Sequence, residues 1–211
     1  MSPPRATFPG PSAVPSELAA RRPSPGERSD EELMVAAGAG SREAFAVLTE
    51  RYILRVTRYC TKVTREPHAG EELAQETFLQ IWAHRGSYRP DRAFAILLFT
   101  VACNRCRNHR RSWRRRLRWE LEDSSAVDLD AVPHQASGQL DQLLERERRR
   151  GVHEAVARLP AKLQEVLLLR FDQGLDYPEI AAILGRSETT IRSRAFHGLR
   201  RLREQLRGSQ R

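Results

Sequence analysis

The stretch Leu159 to Arg207 reads LPAKLQEVLLLRFDQGLDYPEIAAILGRSETTIRSRAFHGLRRLREQLR, and its pattern is that of two helix pairs, the second of them a helix-turn-helix. Asp176 is placed to cap the first helix of that pair, with Pro178 in the first turn, where a missing N–H is no loss. Ile180, Ala181 and Leu184 then recur at helical spacing. Gly185-Arg186 supplies the break, because glycine tolerates the left-handed conformation of a tight helix exit. Ser187 caps the second helix. At about 3.6 residues per turn, Ile191, Ala195, Leu199, Leu202 and Leu206 fall in one narrow arc, the expected buried seam. Thr189, Arg192, Ser193, Phe196, His197 and Arg200 lie outside it. Short hydroxyls, guanidinium groups, an imidazole and an aromatic ring can donate to phosphates, fork onto guanine and pack on a thymine methyl. A charged run is by default a solvated face, but here the short helix, the glycine turn and the basic second helix stand in the order a DNA-reading motif requires.

The 211 residues fit one or two domains at roughly 100–200 residues each. A formal net charge of +9 points to an anionic partner, nucleic acid first; a membrane surface would also answer to basicity alone. No run approaches the ~18 apolar residues of a spanning helix, and the N-terminus lacks the apolar core of a secretory signal, so a cytoplasmic protein is expected. Lys62 and Lys162 are the only lysines among the cations. An arginine bias suits bidentate contacts with phosphate and guanine, and a GC-rich genome produces the same bias. Cys60, Cys103 and Cys106 are an odd number, which argues against a disulfide framework. Cys103, Cys106 and His109 form a C-x2-C-x2-H string, but on a helix they spread over about a third of the circumference and no fourth ligand stands near. Packed thiols are expected, with no metal and no cofactor.

From Met1 to Ser29 the chain holds seven of its twelve prolines and few large apolar residues, the composition of a disordered tail. Order is expected from Asp30, with a short helix through Leu33 and Val35 and then the loop Gly38-Ala39-Gly40. Ser41 caps a second helix, on which Phe45, Leu48, Tyr52, Val56, Tyr59 and Val63 recur at core spacing to about Thr64. Pro67 to Gly70 reads as a spacer before the helix Glu71 to His84. Ala74, Phe78 and Ile81 share the buried side of that helix, while Glu72, Gln75, Glu76 and Leu79 project from another. Such a face is either solvated or a protein-docking surface.

Gly86 to Arg92 reads as a loop, and Ala93 opens a long helix, AFAILLFTVACNRCRNHRRSWRRRLRW. Its first half is apolar nearly all round, as the central helix of a small bundle should be. From Arg105 to Arg118 it carries eight arginines, with Asn104, Asn108, His109 and Trp113 interleaved. Amides and aromatics among cations suit single-stranded nucleic acid, whose backbone seeks charge and whose bases seek flat surfaces. Then the sign inverts: Trp119 to Glu145 has seven acidic residues and no Lys or Arg. The expected organisation is all-α: a tail (1–29), a helical domain (30–118), an acidic linker (119–139) and a second helical domain (140–207).

With both domains laid out, Glu31 to Arg207 resembles an extracytoplasmic-function sigma factor, the two-domain class of bacterial RNA polymerase sigma subunits. EELAQETFLQIW is similar to the family's acidic polymerase-docking helix, and FAILLFTVACNRCRNHRR to its promoter-melting and minus-ten-reading helix. LPAKLQEVLLLRF, LDYPEIAAILGRSETTIRSR and the trailing RLRE resemble its minus-thirty-five-reading domain. There are departures. The family commonly has Trp at Leu97, Arg at Cys103 and Asp at Asn108, and seldom so long a proline-rich tail. The last of those substitutions removes a negative charge beside DNA.

The resemblance implies a non-enzymatic specificity subunit that directs core RNA polymerase to promoter DNA. Glu72, Gln75, Leu79 and Trp82 would grip polymerase. Tyr88, Asn104, Arg105, Asn108 and Arg111 would meet the minus-ten strand, with the base pocket near Ser87 to Arg92. Ser187, Thr189, Arg192, Ser193, Phe196 and His197 would serve the minus-thirty-five element, with Arg194 and Arg200 on phosphates. It also implies an anti-sigma factor that wedges between the domains, often from a membrane anchor. A stand-alone helix-turn-helix regulator would leave the acidic helix and first arginine cluster without a task. A nuclease or recombinase needs clustered carboxylates or a placed nucleophile, which the acids here do not provide.

Overall fold

The computed structural model describes residues 28–123 and 151–208, and every regular element within them is helical. The expected disordered tail up to residue 27 and the part of the acidic linker beyond residue 123 lie outside the described residues.

Helix α1 (Asp30–Gly38) starts on a reciprocal cap. Ser29 Oγ accepts from the Glu32 N–H at 3.1 Å while the Glu32 carboxylate accepts from the Ser29 N–H at 2.8 Å. Leu33, Met34 and Ala37 are its buried residues, and Val35 is 49% exposed. Positions two apart share a face on a strand but stand on opposite sides of a helix.

Ser41 caps α2 (Arg42–Thr64), accepting from the Ala44 N–H at 3.1 Å. Leu48, Tyr52, Val56, Tyr59 and Val63 are buried as the spacing requires, and Phe45 is half-buried against Phe78 and Trp82. The helix stops at Arg65, whose φ of 66° makes it the one non-glycine among the described residues in the left-handed region.

The spacer expected from Pro67 to Gly70 does not exist. Helix α3 (Pro67–Ala83) begins at the proline itself, because proline in the first turn lacks only a donor that has no partner there. Gly70 is not a breaker either. It faces Thr61 so closely that an added Cβ would lie 2.1 Å from Thr61 Oγ1 and 2.7 Å from the Thr61 amide nitrogen. The glycine is what allows α2 and α3 to cross.

Helix α4 (Phe94–Asp123) is the central element. Its first N–H donates to the Glu31 carboxylate at 3.0 Å, a cap supplied by α1 from far away in sequence. Phe94, Leu98, Phe99, Ala102, Cys103 and Cys106 are buried, with Phe99 edge-on to Tyr59. The helix runs on to Asp123, so the first five residues assigned to the linker continue it. All three thiols, Cys60, Cys103 and Cys106, are buried, and Cys103 Sγ lies 3.0 Å from the Tyr59 hydroxyl. Burial pushes the Cys103 thiol well above its ordinary range, and Cys106 rises through its hydrogen bond with Cys60 and then burial. Ellman's reagent is therefore expected to leave the native protein unlabelled and to react with all three thiols in denaturant; fast reaction of any one in the native protein would contradict this packing.

In the second domain, residues 151–157 form helix α5, and α6 (Ala161–Leu167) continues into a wide π turn over Leu168–Asp172. There the Gln173 N–H donates to the Leu168 carbonyl at 3.1 Å. The wider turn shifts the helical phase, leaving Leu168 and Leu169 buried, Phe171 58% exposed, and Gln173 buried against the first domain. Helices α7 (Tyr177–Leu184) and α8 (Glu188–Gly208) follow. Of the expected seam on α8, Ile191 and Ala195 are buried whereas Leu199, Leu202 and Leu206 are half-buried. The short α6 covers only the first half of this long helix. Gly198, not foreseen, is buried where a Cβ would press on Leu167 at 3.1 Å.

The two domains pack directly on each other, α7 lying against α4. Arg55 is buried at this junction. Its Nη2 donates to the Gln173 carbonyl at 2.7 Å, and its guanidinium lies over Tyr52 and Phe99. Lys62 pairs with Asp172, and Gln164 Nε2 donates to the Lys62 carbonyl at 3.3 Å. Arg107 forks onto Glu165, Nε to Oε1 at 3.1 Å and Nη2 to Oε2 at 2.9 Å. That hydrogen bond raises the Arg107 pKa.

Candidate nucleic-acid interface

The helix-turn-helix forms as its residues direct. Asp176 Oδ1 accepts from the Glu179 N–H and Glu179 Oε2 from the Asp176 N–H, both at 2.8 Å. Gly185 ends α7 with φ 61° and ψ 46°. Ser187 Oγ accepts from the Thr190 N–H at 3.3 Å, starting α8. On α8, Thr189, Arg192, Ser193, Phe196, His197 and Arg200 are all exposed, as is Ser187 at the cap. At about 100° per residue they share an arc of roughly 140°. Phe196 is 64% exposed, its ring edge-on to His197 at 5.6 Å. An exposed aromatic ring among cations is a surface shaped for something other than water. Arg194 stands apart, half-buried on the side toward the core.

Of the residues expected on the first nucleic-acid surface, Asn104, Asn108 and Arg111 are exposed and lie in line along α4. Arg115, also exposed, extends the line one turn further; its spacing from Arg111 was the available signal. Arg105 does not join them. It is half-buried, paired with Glu76 and donating from Nε to Gln80 Oε1 at 3.0 Å, so it ties α4 to α3. Tyr88 is half-buried, its hydroxyl donating to the Arg92 carbonyl at 2.9 Å across the loop. Burial, with Glu31 nearby, pushes that phenol up to about 12.

On α3, Glu72, Gln75 and Leu79 are exposed and in line with half-buried Trp82. Leu79 is 68% exposed. Trp82 is fixed from two sides, 5.1 Å from the Phe45 ring and with the Arg85 guanidinium over it at 4.0 Å. A rigid aromatic beside an exposed leucine, ringed by carboxylates and an amide, has the make-up of a protein-binding patch. Arg105 reaches from α4 to the flank of this face, at Glu76 and Gln80. Among the described residues no group of His, Cys, Asp and Glu could hold a metal ion, and no helix is long and apolar enough to cross a membrane.

Two family models match the chain: Sigma-70 region 2 over residues 48–116 and Sigma-70, region 4, over residues 149–202. The ECF RNA polymerase sigma factor SigL of Mycobacterium tuberculosis is 31% identical over 172 residues, covering 79% of this chain and 92% of that protein. The RNA polymerase sigma factor CarQ of Myxococcus xanthus is 30% identical over 167 residues, 79% of this chain and 91% of that one. The solved structure of the sigma factor RpoE with the anti-sigma factor NepR from Bartonella quintana is similar, with a TM-score of 0.60 and 25% identity over 77% of this chain and 96% of that one. CnrH, solved with the cytosolic domain of CnrY, shares the fold, with a TM-score of 0.64 and 22% identity over 86% of this chain and 99% of that one. A helix-turn-helix, a basic helical bundle and these likenesses together show that the chain belongs to the extracytoplasmic-function RNA polymerase sigma factors, DNA-binding initiation factors that direct polymerase to promoters.

Proposed function

We propose how the family's work is divided on this chain. Glu72, Gln75, Leu79 and Trp82 dock core polymerase. Tyr88, Asn104, Asn108 and Arg111, extended by Arg115, meet the minus-ten strand, while Arg105 braces that helix against the docking helix. Helix α8 enters the major groove of the minus-thirty-five element with Arg192, Ser193, Phe196 and His197 toward the bases. Ser187, Thr189 and Arg200 take phosphates, with Arg194, half-buried on the flank of the helix, reaching the backbone from the side. Each good base contact contributes roughly 1–3 kcal/mol of discrimination. What supports this most is the exposed row on α8, since it follows a helix pair capped and broken where a DNA-reading motif needs it. The chain acts in the cytoplasm, has no catalytic step of its own, and takes an anti-sigma factor as partner, a reading supported by the RpoE neighbour's complex with NepR.

Promoter engagement requires the two domains to separate. Helix α8 packs on α7 and α7 on α4, which ties the two reading surfaces together in this arrangement. Elements named for positions about 25 base pairs apart are separated by roughly 85 Å of B-form DNA at about 3.4 Å per pair.

The test is run-off transcription with purified core polymerase on a genomic-fragment library. Discrete new starts are expected; DNA binding without initiation would favour a stand-alone regulator. Melting has its own test. A flipped base costs a few kcal/mol, returned by a pocket and by cationic contacts to the single strand. Replacing Asn104 and Asn108 with alanine is expected to lower permanganate reactivity of the minus-ten strand about tenfold while core binding is unchanged. Unaltered reactivity would remove them from the melting surface.

A further inference from the structure

Arg192 does not wait free in solvent. Its Cζ lies 4.8 Å from the centroid of the Tyr177 ring, and its Nε and Nη2 meet Glu188 Oε1 at 2.7 and 2.5 Å. Tyr177 is the first residue of α7, so its backbone is held by the Asp176–Glu179 cap. A second guanidinium, that of Arg170, also lies over the ring at 5.0 Å, and Arg170 Nη1 is anchored on the Leu175 carbonyl at 3.0 Å. Three elements, the π turn, α7 and α8, therefore converge on one phenol ring at the edge of the reading face.

We propose that Tyr177 and Glu188 are positioning residues for minus-thirty-five readout, holding the Arg192 fork against the first helix of the pair so that it meets one base rather than any nearby phosphate. The inference rests on the reading of Arg192 as a base contact. An arginine side chain has many rotamers, and a guanidinium stacked on a fixed ring gives up most of that freedom before DNA arrives. Tyr177 lies under the guanidinium and Glu188 uses its Nε–Nη2 edge, so the remaining edge is left to fork onto guanine. Glu188 also offsets the charge that would otherwise draw the side chain to the backbone. Its carboxylate penalises every phosphate but leaves a neutral base edge acceptable.

The sequence carries no periodic trace of this arrangement. Tyr177 precedes Arg192 by fifteen residues and belongs to the other helix. Arg170 gives the ring a second, independent hold, so its position survives loss of the Arg192 stack. The arrangement thus separates support of the ring from use of the ring.

The experiment uses the full chain assembled with core polymerase and a pool of duplexes randomised across the minus-thirty-five hexamer, with bound sequences counted. Wild type should show a preference at one position that Arg192→Ala removes. Tyr177→Leu should weaken that same preference three- to tenfold, leave the other positions unchanged, and leave affinity for a scrambled duplex unchanged; Tyr177→Phe should restore it. Glu188→Gln, a surface change that keeps the fold, should raise scrambled-duplex affinity a few fold and lower the preference at the Arg192 position. A uniform loss at all positions with Tyr177→Leu and no effect of Glu188→Gln would reduce both residues to fold support and overturn the proposal. Loss of the preference with Arg192→Ala but not with Tyr177→Leu or Glu188→Gln would also overturn it while sparing the reading of Arg192. An unchanged profile with Arg192→Ala would sink that reading and the proposal together.

Discussion

Gly70→Ala is expected to destabilise the first domain by about 3 kcal/mol, the upper part of the range for forcing extra volume into a packed site. The added methyl would lie 2.1 Å from Thr61 Oγ1, 2.7 Å from the Thr61 nitrogen and 2.8 Å from its Cα. A hydroxyl can rotate away, but the Thr61 backbone, in the last turn of α2 with its carbonyl bonded to the Arg65 N–H, can move only if the helices separate. Separation would loosen Leu73 and Ala74 from their places in the core and tilt the face that carries Leu79 and Trp82. For a chain of this size the loss corresponds to a melting temperature lower by roughly 6–12 °C. Gly86 is the matched control: it has no atom within 4 Å of an added Cβ and no positive φ. Gly86→Ala is expected to leave the melting temperature within a degree or two. A Gly70→Ala protein that melts like wild type would mean that α2 and α3 do not cross this closely.

What could be read from the chain was what is local. The helix-turn-helix was legible because each signal lies within a few residues of what it controls: Asp176 and Glu179 cap one another, Gly185 takes the left-handed turn, and Ser187 starts the next helix. The α2 stripe was legible because a long helix buried along one side, under α1, α3 and α4, enforces its period. Misreadings arose where a distant contact decides. Pro67 and Gly70 look like punctuation, yet one is tolerated in a first turn and the other is demanded by Thr61 in the preceding helix. Arg105 sits among polar residues of α4 that stay exposed, yet Glu76 and Gln80 claim it. Glu31 caps a helix that begins at Phe94. One distant contact did leave a trace: Glu165 stands inside the apolar run LQEVLLL, and a carboxylate so placed needs a partner wherever the fold can find one.

That partner makes Glu165→Arg the change expected to alter the arrangement of the molecule most. Glu165 is 6% exposed and takes both oxygens' bonds from Arg107. Reversing its sign leaves Arg107 unpaired and sets a second guanidinium against it, and losing one member of such a desolvated pair costs about 2–5 kcal/mol. At about 3 kcal/mol the ratio of packed to parted domains falls roughly 150-fold. Arg55 with Gln173 and Lys62 with Asp172 remain, so the outcome is a shifted balance. Spin labels at Ala46→Cys and Arg203→Cys report it directly, since both positions are exposed and the three native thiols are buried. Wild type should give one narrow distance distribution. Glu165→Arg should give a broad one extending by tens of ångströms at unchanged helix content, and Glu165→Gln, which can still accept one bond from Arg107, should fall between. A narrow, unmoved distribution in Glu165→Arg would show that the apolar contact of α7 with α4 holds the domains together without the ion pair.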